Sequence, residues 1–268
     1  VLRKAKYHFV PARAHANVRR VEQQKCIANL LETRAVWLVA EWGMGADGFV
    51  STIQKHRQHA SHPTYRLDLS DYTSREQFFD LIKQSIGCSF ERFCEILSSS
   101  SPAYLLLDDP PTDIAVADGK LTREQDIENL VRTILEYCPE LTIFIRCRRT
   151  PQHQDLAIIE IKPLDEADVR TYVSEHERGG APLCTAEVVG ALYRHTDGIP
   201  VRLDASLKDL EVIELSELVN TDSDILGAST SPTDAPPVLS RVVQELADST
   251  NPTLQRAFDL LKALTLFP

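Results

Sequence analysis

Ala35-Val36-Trp37-Leu38-Val39-Ala40-Glu41-Trp42-Gly43-Met44-Gly45-Ala46-Asp47 is the stretch whose reading decides the fold. Six apolar residues in a row are what a strand buried on both faces requires, and a glycine-bearing turn follows at once. Residues 47–58 then carry a helical pattern. Strand, glycine turn and helix in this order open a parallel-sheet unit, because parallel neighbours need a crossover between them.

The same alternation continues outward from this stretch. An apolar strand over 103–107 stops at Asp108-Asp109-Pro110-Pro111, since paired prolines cannot enter a central ladder. Ile127, Leu130, Val131 and Ile134 recur at helical spacing within 122–137, and 141–145 and 157–161 read as further strands. The alternating segment 65–69 suits a strand nearer the edge, and helices are expected around 78–82 and over 90–97. Beyond Pro163 the pattern is helical only, over 165–176, 185–195 and 200–210. The expected fold class is α/β, a parallel sheet followed by an all-helical subdomain. The expected division is an α/β domain over 1–163, a small helical subdomain over 164–219, a linker over 220–237 rich in Thr, Ser, Asp and Pro, and two amphipathic helices over 238–268.

Composition narrows the function classes. The chain has 268 residues, 43% hydrophobic and 25% charged, with a formal net charge of −10. That acidic balance works against non-specific nucleic-acid binding, which rests on neutralising phosphates. Arg146, Arg148 and Arg149 are the main basic cluster, and we read them as phosphate-site or surface arginines. With no run of eighteen apolar residues and no apolar leader after Val1, the expectation is a cytoplasmic protein with no membrane contact. The start without Met and the stop at Phe267-Pro268, directly after an apolar helical pattern, suggest a piece of a longer chain. Six cysteines without a CxxC pair point to reduced thiols rather than disulfides or a zinc site. His56, His59 and His62 recur every three residues, but Pro63 ends the pattern, so a solvated face is expected and no metal.

The turn after the first strand sits where a phosphate loop would. Such a loop wraps an anion in backbone N–H groups, neutralises it with Lys and holds magnesium with Ser/Thr. Across positions 40–47, Gly43 and Gly45 are kept, whereas Ala46 stands in the Lys position and Asp47 in the Ser/Thr position. The alternative is a plain strand-to-helix turn with left-handed glycines. Asp108 and Asp109 match the acidic pair that follows a second strand in phosphate-loop proteins, although such a pair also simply opens a turn.

In this order the motifs resemble the STAND class of signal-transduction ATPases, and within it the NB-ARC type, over nearly the whole chain. Phe9-Val10-Pro11-Ala12-Arg13 is similar to the entry motif of that family, with Arg13 as its arginine. Residues 40–47 occupy the Walker A position and 105–109 the Walker B position, so that Asp108 and Asp109 are the vestigial acidic residues. The segment 143–148 resembles the sensor strand, which makes Arg148 the sensor arginine. Gly198-Ile199-Pro200 resembles the Gly-x-Pro motif, with Pro200 on the nucleotide side. The end of the chain looks like the lead into a winged-helix domain.

The departures have physical consequences. Ala46 removes the phosphate cation and Asp47 the magnesium hydroxyl, while the Asp47 carboxylate about 5 Å from a phosphate charge would repel it by roughly 3 kcal/mol at an effective dielectric near 20. A carboxylate at a helix N-terminus can instead accept the N–H groups that a phosphate would. Trp42 adds bulk beside the glycines. The expected function is therefore a catalytically silent STAND-like module, an interaction or oligomerisation platform of a larger signalling or defence protein. Protein partners would act through flanking effector and sensor regions, with a possible homo-oligomer and no bound cofactor. The alternative is a working switch that binds ADP or ATP with Mg2+. A DNA-binding regulator is a third reading and would need the winged helix.

Overall fold

The computed structural model describes residues 5–7, 9, 13–57, 62–100, 102–111, 122–152 and 154–211, together with Leu215, Leu218, Phe258 and Lys262. Six strands form one sheet: β1 (Lys6–Tyr7), β2 (Ala35–Ala40), β3 (Thr64–Asp68), β4 (Ala103–Asp108), β5 (Leu141–Cys147) and β6 (Ile158–Ile161). Their spatial order is β1-β3-β4-β5-β2-β6. All neighbours are parallel except β1, which pairs antiparallel with β3. The helices are α1 (Arg20–Thr33), α2 (Ala46–His56), α3 (Arg75–Ser85), α4 (Phe90–Ser99), α5 (Arg123–Tyr137), α6 (Glu166–Glu175), α7 (Ala186–Thr196) and α8 (Pro200–Asp209). This is an α/β fold, a mostly parallel sheet covered by helices, with a helical part after the sheet.

Alternation along the central strands explains why both faces must be covered. Ala35, Trp37 and Val39 of β2 enter one core with Leu105, Leu107, Ile143 and Ile145, beneath α3, α4 and α5. Val36, Leu38 and Ala40 enter the other with Leu106 and Phe144, beneath α1 and α2. Side chains alternate at period two, so an unbroken apolar run is the pattern of a strand with helices on each side. The buried Trp37 indole donates from Nε1 to Glu128 at 2.7 Å. The same buried carboxylate accepts the backbone N–H groups of Asp155 at 2.9 Å and Leu156 at 3.0 Å. It thereby ties the entry of β6 to α5, and its three bonds replace the water it gave up.

Helix starts follow local chemistry. Thr122 and Gln125 form a reciprocal capping box at α5, and Ser74, Ser89, Asp165 and Thr185 each accept an N–H of the helix that follows. Helix α1 is not foreshadowed by the apolar pattern, because only Gln23, Cys26 and Leu30 are buried and Val21 and Leu31 lie exposed. Helix α2 closes at His56, whose successor Arg57 donates its N–H to Ile53, so the three-residue histidine spacing does not run along one helix to His62; His59 lies outside the described residues. Arg13 opens a 3-10 turn, Arg13–His15, while Val10 to Ala12 of the entry motif lie outside the described residues, as does nearly all of 212–268.

The chain divides into two compact units, Val1–Leu207 and Lys208–Pro268. The sheet, α6 and α7 belong to the first. In the second, the Lys262 ammonium lies 4.3 Å over the Phe258 ring. No helix among the described residues is long and apolar enough to cross a membrane.

Candidate functional site

The carboxyl ends of the parallel strands gather the residues that sequence singled out, as expected where ligands meet open α/β sheets. Gly43 and Gly45 follow β2 at φ +83° and +74°, a left-handed backbone that a side chain would strain. Gly45 is the residue before α2 and Ala46 its first residue. Gly43 also accepts the backbone N–H of Val201 at 3.2 Å. The Gly198-Ile199-Pro200 segment is therefore seated on the loop, with buried Pro200 opening α8. Gly198, at φ +68°, lies so close to Leu164 that a Cβ there would strike its carbonyl oxygen.

Asp47 does not cap its helix with the free N–H groups. Its carboxylate accepts from the Tyr7 hydroxyl and from Arg146 Nη1. Arg146 reaches across from the end of β5 and binds Asp108 with its other two nitrogens, Nε to Oδ1 at 2.6 Å and Nη2 to Oδ2 at 2.7 Å. Arg66 makes a further ion pair with Asp108. Burial pushes the buried Asp108 carboxyl up, but Arg146 and Arg66 outweigh it and hold the group below its ordinary value. Burial likewise pulls the Arg146 guanidinium down, and Asp108 and Asp47 more than reverse this. Tyr7 is pushed up to about 12 by burial and by its bond to Asp47. One cation thus joins two carboxylates that the sequence assigned to different halves of a nucleotide site.

Sequence reasoning gave the arginine role to Arg148; the arginine that joins the two carboxylates is Arg146, two positions earlier and within β5. Arg148 is half exposed and pairs with Asp109 at 2.8 Å. Asp109 stands at φ +53° and donates its N–H to the Arg146 carbonyl at 2.8 Å. A signal for Arg146 was available: it is the only charge within β5, and a charge there needs a buried partner.

His15 is the residue that sequence reasoning missed. Its ring is 6% exposed and lies directly against Gly45 and Gly48, where a Cβ on either would run into it. It meets the Tyr172 ring edge-on at 5.2 Å. Burial, then Arg19 and His176, pull its pKa down to about 4, so it sits neutral. Its Nδ1 has no hydrogen-bond partner, and neither do Nη1 and Nη2 of the neighbouring buried Arg19. Arg19 Nε donates to the Lys162 carbonyl at 2.9 Å, and burial pulls its pKa down to about 10. Trp42, expected to crowd the loop, is instead 48% exposed.

The residues at this loop do not supply the cation and hydroxyl that a nucleotide with magnesium takes at a phosphate loop. Phosphate approach needs open space over the glycines, a nearby cation and a hydroxyl. Here the His15 ring lies against Gly45 and Gly48, Val201 lies against Gly43, and Arg146 is already shared by Asp47 and Asp108. Among the described residues no group of three His, Cys, Asp or Glu side chains could hold a metal ion.

No protein-family model matches the chain, and no curated protein matches it significantly. Among solved structures it is similar to the Walker-type ATPase PABY2304 of Pyrococcus abyssi, at 11% identity and a TM-score of 0.49 over 80% of this chain and 74% of that one. Domain III of the replication initiation protein DnaA of Thermotoga maritima gives 16% identity and 0.49, over 76% of this chain and 90% of that one. The STAND protein with a tetratricopeptide repeat sensor, PH0952 of Pyrococcus horikoshii, gives 14% and 0.45. The match with PH0952 takes in 92% of this chain but only 36% of that protein. Likeness at this level says nothing of activity.

Proposed function

We propose that this chain is a catalytically silent P-loop NTPase-like module of the STAND type whose phosphate loop is closed by its own side chains. It acts as an interaction or oligomerisation platform within a larger signalling or defence protein. The observation that carries this reading is the Asp47–Arg146–Asp108 network. A built-in carboxylate occupies the attention of the cation that an outer phosphate would need, and the residues that would hold magnesium and neutralise charge in phosphoryl transfer are absent or engaged. His15 over Gly45 and Gly48, and Val201 over Gly43, support the same conclusion sterically.

In this reading the nucleotide-site residues of the family, Gly43, Gly45, Ala46, Asp47, Asp108, Asp109, Arg148 and Pro200, have become structural, with Arg13 at the chain's entry to the fold. They keep the strand ends, the loop and α8 in one fixed arrangement rather than in two nucleotide-dependent ones. No cofactor is needed for it, and the partners are proteins. The test is isothermal calorimetry and thermal shift with ADP and ATP, with and without Mg2+, beside a phosphate-release assay. The expected result is no heat of binding, no shift and no turnover above background. A Mg2+-dependent turnover that disappears in Asp108→Asn would overturn the proposal in favour of a nucleotide switch.

A further inference from the structure

Away from the phosphate loop, an aromatic row crosses the three helices that cover the opposite face of the sheet. The rings of Phe79 in α3 and Phe90 in α4 have centroids 4.8 Å apart, and Phe90 meets Tyr137, the last residue of α5, edge-on at 6.2 Å. Phe90 is buried, whereas Phe79 is 37% exposed and Tyr137 is 57% exposed. A single exposed aromatic side chain is ordinary, but two joined through a buried third form a continuous apolar patch. Beside Tyr137 opens a cleft of about 480 Å3. Its other wall is a face of α4, where Glu91, Glu95 and Ser98 recur at helical spacing.

The charge around this row is mostly of one sign. Glu76 and Asp80 lie within a turn of Phe79, and Glu136 and Glu140 bracket Tyr137 in sequence; with Glu91 and Glu95, all six carboxylates are exposed. Against them stand Lys83, one turn beyond Phe79, and Arg92, which Glu95 already holds at 2.6 Å. Arg75 and Arg132 are paired with Asp126 and Asp155.

We propose that this face of α3, α4 and α5 is the docking surface for a basic amphipathic segment of a partner protein, an inference that specifies the partner of the platform reading and rests on it. An arginine or lysine of that segment enters the cleft against Tyr137 and Glu91, and its apolar side chains lie along Phe79. An aromatic face attracts a cation through its quadrupole, and a neighbouring carboxylate adds to the attraction. The exposed rings give the segment its anchors, since a few aromatic or aliphatic contacts carry most of the energy of an interface. An amphipathic helix presents cationic and apolar residues three or four positions apart, on one side. Anionic lipid and nucleic acid would instead meet six carboxylates. A second copy of this chain would bring its own net charge of −10 to the same acidic rim.

The test titrates the whole chain into a fluorescein-labelled amphipathic peptide carrying arginine, leucine and phenylalanine on one helical side, followed by anisotropy. One control peptide has the same composition scrambled so that these residues no longer share a side; another has glutamate in place of arginine. The expected result is saturable binding of the first peptide only, about tenfold weaker in Tyr137→Ala, in Phe79→Ala and in Glu91→Lys. Glu160→Lys, an equal change of charge on β6, should leave binding unchanged. Hydrogen exchange on the wild-type chain should slow over α3, α4 and the end of α5 when the peptide is bound, which decides the matter even if a variant folds poorly. Absence of wild-type binding, or protection elsewhere, would overturn the proposal. Equal binding of the scrambled peptide, or equal weakening by Glu160→Lys and Glu91→Lys, would also overturn it by leaving bulk charge as the cause. Self-association of the chain that is lost in Tyr137→Ala would make a second copy the occupant instead. The ADP and ATP titrations are read separately, so failure of the peptide to bind and failure of the silent phosphate loop are distinct results.

Discussion

Arg146 grips Asp108 with two nitrogens, at 2.6 and 2.7 Å, and gives its third to Asp47. The geometry uses every face of the guanidinium, so neither Lys nor a neutral residue can reproduce it. Because Asp108 is 4% exposed, its charge depends on this partner and on Arg66.

Arg146→Ala should therefore lower stability by about 3 kcal/mol, most of it the cost of leaving Asp108 buried beside a single remaining cation. Urea denaturation measures it. Arg146→Lys should fall between the two, since it keeps the charge but loses the two-pronged contact. A loss under about 1 kcal/mol in Arg146→Ala would mean that the network does not hold the strand ends together.

Asp47→Ala should also destabilise, by about 1 kcal/mol, because the Asp47 side chain is 39% exposed and its ion pair is screened by water. The loss comes from the contacts to Tyr7 and Arg146 rather than from helix capping. A double-mutant cycle with Arg146→Ala should accordingly show coupling of about 0.5 kcal/mol or more. A variant more stable than the wild type would show that repulsion between Asp47 and Asp108 outweighs their shared cation.

Restoring the loop chemistry alone should fail. Ala46→Lys with Asp47→Thr changes the local charge by +2 but leaves the His15 ring over Gly45 and Gly48. Calorimetry with ADP should show no binding by the double variant and measurable binding once His15→Ala is added. Adding Trp42→Gly instead should change nothing, as that indole is 48% exposed. Binding by the double variant alone would mean that His15 is no barrier.

Acid should loosen the same region. The pKa of His15 is near 4 in the folded chain, below the ordinary 6.5 that it regains on unfolding. Between these values the unfolded chain binds more protons, so stability rises with pH across the window and is lost as pH falls through it. The difference corresponds to about 3 kcal/mol. Asp168 and Asp204 are raised by burial and act in the opposite direction, so the clean measurement is the wild type against His15→Phe. Melting temperatures at pH 7 and pH 4.5 should diverge in the wild type more than in the variant; equal divergence would exclude His15 as the cause.

Sequence by itself determined the parallel strands and the helices after the sheet, but not the two-residue antiparallel β1. Strands β2, β4 and β5 were legible because a strand covered on both faces must be apolar at every position, and that constraint is local. Helices α6 to α8 were legible from period and from their boundaries at Pro163 and Pro200. The glycine turn, Asp47 and the acidic pair were equally visible as candidates. Helix α1 was not, since three buried residues in fourteen leave too narrow an apolar stripe to stand out.

Tertiary structure alone decided what the candidates do. Asp47, Asp108 and Arg146 are separated by up to 99 residues, and only the parallel register that sets β4 beside β5 brings their side chains together. Nothing in the Arg146-Cys147-Arg148 run states which arginine meets Asp108; β5 ends at Cys147, so Arg146 lies in the ladder beside Asp108 and Arg148 lies beyond it. His15 carries no motif at all. Its place over Gly45 and Gly48 comes from the packing of the Arg13–His15 turn against α2 and Tyr172. Residue types and spacing encode which chemistry is missing from the loop, whereas what fills its place is set by contacts between segments far apart in the chain, which local pattern does not record.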